Sequence, residues 1–276
     1  MSFTVDESTD RILDLQHGPV RVRLDGPSKS PPLLLIHGSP CSLEWFDQLT
    51  SLLCDTYRIV RIDLRGHGAT GGRERLGRMD QVAMVTEVLD HLGITEISAV
   101  AHSFGTDIPI DLATAGRANA VVLIDQAPDF RCATYPPGLI TLSRPSLIAI
   151  AQRAPAFAIQ QGSKQGFAPG FRFDSVPGFA EIVVRDFRAF TPSIGRFALV
   201  DRARELAADP LDARIQRLDV PVLAIHGRRD QMYACAPSIA RYSAAGARTA
   251  IIENAGHSPH VEAPEAVAVA LRDFLD

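Results

Sequence analysis

The chain has 276 residues, 46% of them hydrophobic and 22% charged, which is ordinary globular usage and excludes disorder over most of the length. A formal net charge of −4 gives no electrostatic case for binding nucleic acid or anionic lipid, and no apolar run approaches the roughly 20 residues needed to cross a bilayer. The opening MSFTVDESTD is polar and acidic and does not read as a signal peptide. Cys41, Cys54, Cys132 and Cys235 lack zinc-ligand spacing and are expected to be free thiols in a reducing cytoplasm.

In chain order, residues 11–15 and 20–24 alternate in polarity around Gln16-His17-Gly18-Pro19, which predicts a β-hairpin. Short continuous apolar runs follow at 33–36, 59–62, 97–101, 121–124, 222–225 and 249–252. Runs without alternation are what strands look like when helices cover both faces of a sheet. Val82, Val85, Val88, Leu89 and Leu92 recur at helical spacing, with Gly93 placed to end the helix. Residues 264–275 predict a last helix with Pro264 in its first turn and Val267, Ala270, Leu271 and Phe274 on one face. This alternation argues for an open, mostly parallel α/β sheet.

Residues 128–212 break the alternation. They hold nine of the thirteen phenylalanines and are interrupted by Pro136-Pro137-Gly138, Pro169-Gly170 and Pro177-Gly178. We read them as a mostly helical insertion lying over the strand ends. Most of its aromatic residues would form a small core, and a few would face a pocket.

Ala101-His102-Ser103-Phe104-Gly105 follows a predicted strand and precedes a stretch that can be helical. A serine on such a sharp turn is exposed above the sheet, near the positive end of a helix. His37-Gly38-Ser39-Pro40 follows the 33–36 run, so the Ser39 and Phe104 amides can together form an oxyanion hole. Asp230 follows the 222–225 run and His257 the 249–252 run. A serine needs a base to take its proton, and the base needs a carboxylate to fix its tautomer. His67 is expected to stabilise a turn, His102 to pack beside the serine, and His260 to approach the site. Trp45 and Phe46 line an acyl pocket or pack in the core; the pocket candidates are His37, Trp45, His102 and Phe130.

Taken together, HGSP, DLRGHG, AHSFG, HGRRD and NAGHSPHVEAP make the chain resemble enzymes of the α/β-hydrolase fold. The resemblance covers a core of residues 1–127 and 213–276 and a helical cap of 128–212. It implies Ser103 as nucleophile, His257 as base, Asp230 as orienting acid and Ser39 and Phe104 as the oxyanion hole, with no metal and no cofactor. Ala101 stands where the family usually has glycine, Pro109 lies in the helix after the serine, and Asp107 and Asp111 are unusual on that normally buried helix. Asp125 is the alternative acid, since some members of the fold place it after that strand.

The implied reaction is hydrolysis of an ester, lactone or C–C bond in a small to medium apolar carbonyl substrate, with Arg172, Arg185 and Arg188 leaving room for a carboxylate. Two rivals stand beside it. One is a cofactor-independent dioxygenase of the same fold using His257 and Asp125, suggested by Leu89-Asp90-His91-Leu92-Gly93 and His102-Ser103. The other is a ligand-binding receptor that retains the triad.

Overall fold

The computed structural model describes residues 9–16, 18–135, 140 and 143–276. Most of the opening decapeptide, His17 of the predicted turn and Pro136-Pro137-Gly138 lie outside the described residues. The strands are β1 (Thr9–Leu15), β2 (Gly18–Asp25), β3 (Pro32–Ile36), β4 (Arg58–Ile62), β5 (Ile97–His102), β6 (Ala118–Ile124), β7 (Val222–Gly227) and β8 (Arg248–Ile252). They form one sheet in the order β1-β2-β4-β3-β5-β6-β7-β8. The β1–β2 hairpin and the β2–β4 pairing are antiparallel; every pairing from β4 to β8 is parallel.

Three helices punctuate the first half: α1 (Asp47–Leu53), α2 (Arg78–His91) and α3 (Asp107–Thr114). Between β6 and β7 run α4 (Pro145–Ala151), α5 (Ala156–Ser163), α6 (Phe179–Ala189), α7 (Pro192–Arg196), α8 (Arg202–Ala208) and α9 (Leu211–Ile215). The chain closes with α10 (Cys235–Ala244), α11 (Pro259–Glu262) and α12 (Pro264–Leu275).

The unalternating runs are explained by two cores, one on each sheet face. Successive side chains of a strand point to opposite faces. Leu34 and Ile36 of β3 pack with Val85 and Val88 of α2 and Leu112 of α3. Leu33 and Leu35 pack instead with Leu49 and Leu53 of α1 and Val267 and Leu271 of α12. Each fully buried Leu or Ile stabilises the fold by roughly 1.5–3 kcal/mol relative to exposure. β1, by contrast, buries only Leu13 and is otherwise partly or fully exposed, which is why the opening segment alternates.

Gly93 ends α2 as its position predicts, with a φ of 67° that only glycine adopts without strain. Pro109 falls in the first turn of α3, directly after a 3-10 turn at Ser103–Thr106. Helix starts leave amides without intrahelical partners, so proline costs little there.

The β6–β7 segment contains no strand among its described residues. Phe167, Phe173 and Phe179 join Trp45, Val183 and Val261 in an aromatic cluster, with Phe167 and Phe171 stacked 5.0 Å apart. Toward its end the segment rejoins the sheet: Leu206, Leu211 and Ile215 pack against Val121, Leu123 and Val222.

Candidate active site

Ser103 stands at the end of β5 with φ 48°. A left-handed conformation costs a residue with a side chain roughly 1–2 kcal/mol, so the surrounding packing must enforce it. Two glycines show how. A Cβ on Gly105 would lie 2.6 Å from Ile36 Cγ2 and 2.7 Å from the His37 carbonyl oxygen. One on Gly38 would lie 2.6 Å from His102 Nδ1 and 3.1 Å from Ser103 Cβ. The HGSP turn and the serine turn are therefore pressed together, which sets the Ser39 and Phe104 segments beside Ser103.

Two further loops converge on the same point. Asp230 follows β7 and His257 follows β8. His257 Nε2 lies 2.9 Å from Ser103 Oγ, and His257 Nδ1 lies 2.9 Å from Asp230 Oδ2. A carboxylate only accepts, so Nδ1–H donates to Asp230 and bare Nε2 accepts the serine proton. Asp230 also accepts the Met232 amide at 2.6 Å, and His226 Nε2 sits 3.3 Å from Asp230 Oδ2. Burial alone would raise the Asp230 pKa, but the neighbouring His257, with hydrogen bonds from His226 and His257, holds it well below the usual carboxylate range.

Asp125 differs. It ends β6 in a left-handed conformation, φ 46°, and its Oδ1 accepts the Gly227 amide at 2.9 Å. Its Oδ2 has no partner among the described residues. Burial, reinforced by the Asp230 charge, pushes its pKa well above the ordinary value. Adjacent buried carboxyls oppose each other's ionisation, and the two are pushed in opposite directions, Asp230 down and Asp125 up. The His257–Asp125 pairing that the dioxygenase reading requires is not formed, since His257 Nδ1 is engaged by Asp230.

His37, His67, His102 and His260 are buried, and burial lowers the pKa of each. His102 donates through Nε2 to the His257 carbonyl oxygen at 2.7 Å, and burial pushes its pKa well down. His260 stacks on Phe46 at 4.6 Å, and burial takes its pKa to about 3. Phe46 is thus core. His67 accepts the Ser39 hydroxyl at 3.0 Å and donates to the Arg65 carbonyl at 3.1 Å, a turn-stabilising role that also fixes the Ser39 side chain. His37 and Phe130 do not line the cavity expected to contain them. His37 accepts the Leu64 amide at 3.0 Å and is fully buried behind the turn. Phe130 packs edge-on to Tyr233 at 5.9 Å and to Tyr135 at 6.3 Å. The HGSP motif and the aromatic richness of 128–212 carry no information on which way a side chain turns.

Ser103 and His257 line a cavity of about 580 Å³, within the range of small-molecule sites. Trp45, Ser39, His102 and Phe104 line it too. Trp45 is oriented by its indole N–H, which donates to Asp186 at 3.0 Å. The wall is mainly aliphatic and aromatic; Gln126, Gln165, Tyr233, Arg202 and several serines are among its polar members.

Sequence reasoning missed Glu262, which ties the His257 loop from both sides. Its carboxylate accepts the Gly256 amide at 2.9 Å, the Ser258 amide at 3.2 Å and the Ala168 amide at 2.7 Å. A glutamate four residues beyond a serine, just before the last helix, was the available signal. Asp107 and Asp111, unexplained in sequence, meet arginines brought in from α8 and α9. Arg202 donates to Asp107 at 2.6 Å; Arg214 contacts the other Asp107 oxygen and Asp111, the latter at 2.8 Å.

Among the described residues, one group, Asp125, His226 and Asp230, brings potential metal ligands within 4.8 Å of one another. Its oxygen Asp230 Oδ2 is already the acceptor for His257, so metal ligation there would compete with that hydrogen bond. No described helix is long and apolar enough to cross a membrane.

The Asp230 and His257 loops touch without clearance. A Cβ on Gly227 would lie 2.0 Å from the Gly256 carbonyl oxygen, backbone that cannot swing aside. Gly227→Ala is expected to destabilise the protein by about 1–3 kcal/mol, read as a lowered melting temperature, and to separate the two loops. An unchanged melting temperature would show that the loops have room to part.

The profile of the alpha/beta hydrolase family matches residues 33–270. The chain is 26% identical over 263 residues to a putative 2-succinyl-6-hydroxy-2,4-cyclohexadiene-1-carboxylate synthase of Bacillus subtilis (strain 168), covering 91% of this chain and 92% of that protein. It is 27% identical over 245 residues to 3-oxoadipate enol-lactonase 2 of Acinetobacter baylyi, covering 87% of each. The crystal structure of the carboxylesterase CesB from Bacillus subtilis superposes with a TM-score of 0.79 at 22% identity, over 98% of this chain and 92% of that one. With its eight-stranded sheet and this match over most of its length, the chain belongs to the alpha/beta hydrolase family and is a hydrolase of that fold.

Proposed function

We propose that Ser103, His257 and Asp230 form a catalytic triad that transfers an acyl group to water, beneath a helical cap formed by residues 128–212. The observation that carries this reading is the unbroken hydrogen-bond chain from Ser103 Oγ through His257 to Asp230, at 2.9 Å for each link, on the wall of an apolar cavity. His257 Nε2 takes the Ser103 proton as Oγ attacks a carbonyl carbon. The resulting imidazolium is stabilised by the ionised Asp230.

The oxyanion is received by the Ser39 and Phe104 amides; one such donor is typically worth about 3–4 kcal/mol of transition-state stabilisation. His257 then protonates the leaving group, and in the second half-reaction activates the water that releases the acid. The substrate is an ester, lactone or C–C-linked carbonyl compound of small to medium size, in keeping with the cavity's lining and with the enol-lactonase and esterases among the similar proteins. Ser103, His257, Asp230 and the two amides act without metal or cofactor in this scheme.

The test is covalent labelling with a serine-directed fluorophosphonate, followed by peptide mass spectrometry and an assay of p-nitrophenyl esters and lactones. The expected result is one adduct on Ser103, loss of turnover on labelling, and unchanged turnover without oxygen. Absence of both label and turnover, alongside tight ligand binding, would instead make the protein a receptor that retains the triad.

A further inference from the structure

The arginines that the sequence offered as carboxylate partners are committed elsewhere. Arg172 pairs with Asp174 at 2.6 Å on the surface, Arg185 with Glu44 at 2.8 Å and Asp186 at 2.9 Å, and Arg188 with the Ala154 carbonyl at 3.1 Å. None of the three lines the cavity. Among the described lining residues, the side chain that carries a permanent charge is a different one, Arg202 of α8.

Arg202 is 3% exposed. Its Nε donates to Asp107 Oδ2 at 2.6 Å, one terminal nitrogen to Gln126 Oε1 at 2.8 Å, and the other to Thr106 Oγ1 at 3.0 Å. Asp107 is shared, its second oxygen being taken by Arg214. Arg202 therefore receives one carboxylate oxygen, through Nε alone, while both terminal nitrogens rest on neutral acceptors. A guanidinium has five N–H donors, so these three bonds leave one on each terminal nitrogen without a partner among the described residues. Spare N–H donors on a guanidinium can serve as hydrogen-bond partners for a carboxylate.

Polar and charged groups surround this point. Gln126 and Tyr233 line the same cavity, and the Tyr233 hydroxyl lies beside the Gln126 side chain. Asp107 and Asp111 face Arg214, and Arg78 lies 3.3 Å from Asp111; Arg78 and Glu205 border the outer side of the cluster. The remaining wall is mainly apolar, where an unpaired carboxylate is costly. Thr106, which holds one terminal nitrogen, donates its own hydroxyl to the Ser103 carbonyl oxygen at 2.7 Å. The guanidinium is thus one helical turn from the serine.

We infer that Arg202 is an anion subsite: it receives a carboxylate on the acyl part of the substrate, a short apolar spacer from the carbonyl that Ser103 attacks. The substrate class is then half-esters, lactones or cleavable diketones of short dicarboxylic or oxo acids. This rests on the reading of Ser103 as nucleophile.

The experiment compares mono-p-nitrophenyl esters of succinic, glutaric and adipic acid with uncharged p-nitrophenyl acyl esters of matched length. In the wild type, kcat/KM for the best charged ester is expected to exceed that of its uncharged match by about tenfold or more. Arg202→Gln is expected to collapse that ratio, and Arg202→Lys to restore part of it. A wild-type preference for uncharged esters at every length, or a ratio unchanged in Arg202→Gln, would overturn the inference and leave Arg202 a tie between α8 and α3. Should Arg202→Gln not fold, the wild-type ratio decides. Calorimetric titration of Ser103→Ala with glutarate and adipate separates this inference from the hydrolase reading. Saturable binding supports the subsite even if no ester is turned over, and absence of binding by either diacid counts against it.

Discussion

Asp230→Asn is expected to lower kcat by about 10⁴-fold, while Asp125→Asn lowers it by only a few-fold. Two carboxyls lie within reach of one another behind His257, and their environments push them to opposite protonation states. Asp230 is the direct acceptor of His257 Nδ1–H at 2.9 Å. An amide there can present its NH₂ to the imidazole and favour the wrong tautomer, and it carries no charge to stabilise the imidazolium. Asp125 accepts from the Gly227 amide at 2.9 Å and is the member of the pair whose pKa burial and the Asp230 charge raise. An asparagine keeps an acceptor oxygen toward Gly227 and, like the protonated acid, places no charge beside Asp230.

A thermal readout accompanies the kinetic one. The folded pKa of Asp125 is raised by burial and then by Asp230, so the stability it confers is complete below the unfolded value near 3.8 and is lost as pH rises toward the folded value. Asparagine has no proton to lose. Asp125→Asn should therefore gain melting temperature relative to wild type as pH is raised from about 4 to about 7. Full activity in Asp230→Asn with none in Asp125→Asn would reverse the assignment of the acid.

Asp107→Ala is expected to cost about 3–5 kcal/mol of stability, a fall of roughly 10 °C in melting temperature for a chain of this size. The single carboxylate serves two guanidinium groups, Arg202 and Arg214, whose side chains are each 4% exposed. Removing it leaves two buried cations short of a partner, a far larger penalty than the loss of a surface ion pair. Burial pushes Asp107 upward, but the Arg202 and Arg214 charges outweigh it and hold the carboxyl below its ordinary range. Its contribution is therefore present above the unfolded pKa and lost as pH falls through the folded one. The gap between wild type and variant should narrow in acid, and equal melting temperatures at neutral pH would show that solvent replaces the carboxylate. A double variant, Asp107→Ala with Arg214→Met, should recover part of the loss, because it removes one of the stranded charges.

Much of this protein is written in short windows of sequence. The runs at 33–36 and 121–124 predict strands buried on both faces because every position is apolar, and β3 and β6 are so buried. Gly93 ends α2 because a left-handed cap needs no long-range partner. The turns that carry Ser103, Ser39, Asp230 and His257 are likewise local, each a few residues after a strand, so their common edge follows from a parallel sheet. Other features depend on contacts across the whole chain. His37 and Phe130 were candidates for the pocket on residue type alone, and packing turned both away from it.

The choice between Asp230 and Asp125 needed the position of the His257 ring, since two carboxyls after neighbouring strands are equivalent in a linear reading. The pairing of Arg202 with Asp107 spans 95 residues and that of Arg214 with Asp107 spans 107. Hydrophobic pattern, turn chemistry and helix ends are properties of neighbours along the backbone, so composition and spacing specify them. Which arginine among many is buried, and which of two acids holds a proton, depends on desolvation and on charges a few ångströms away. Those exist only once the loops have met.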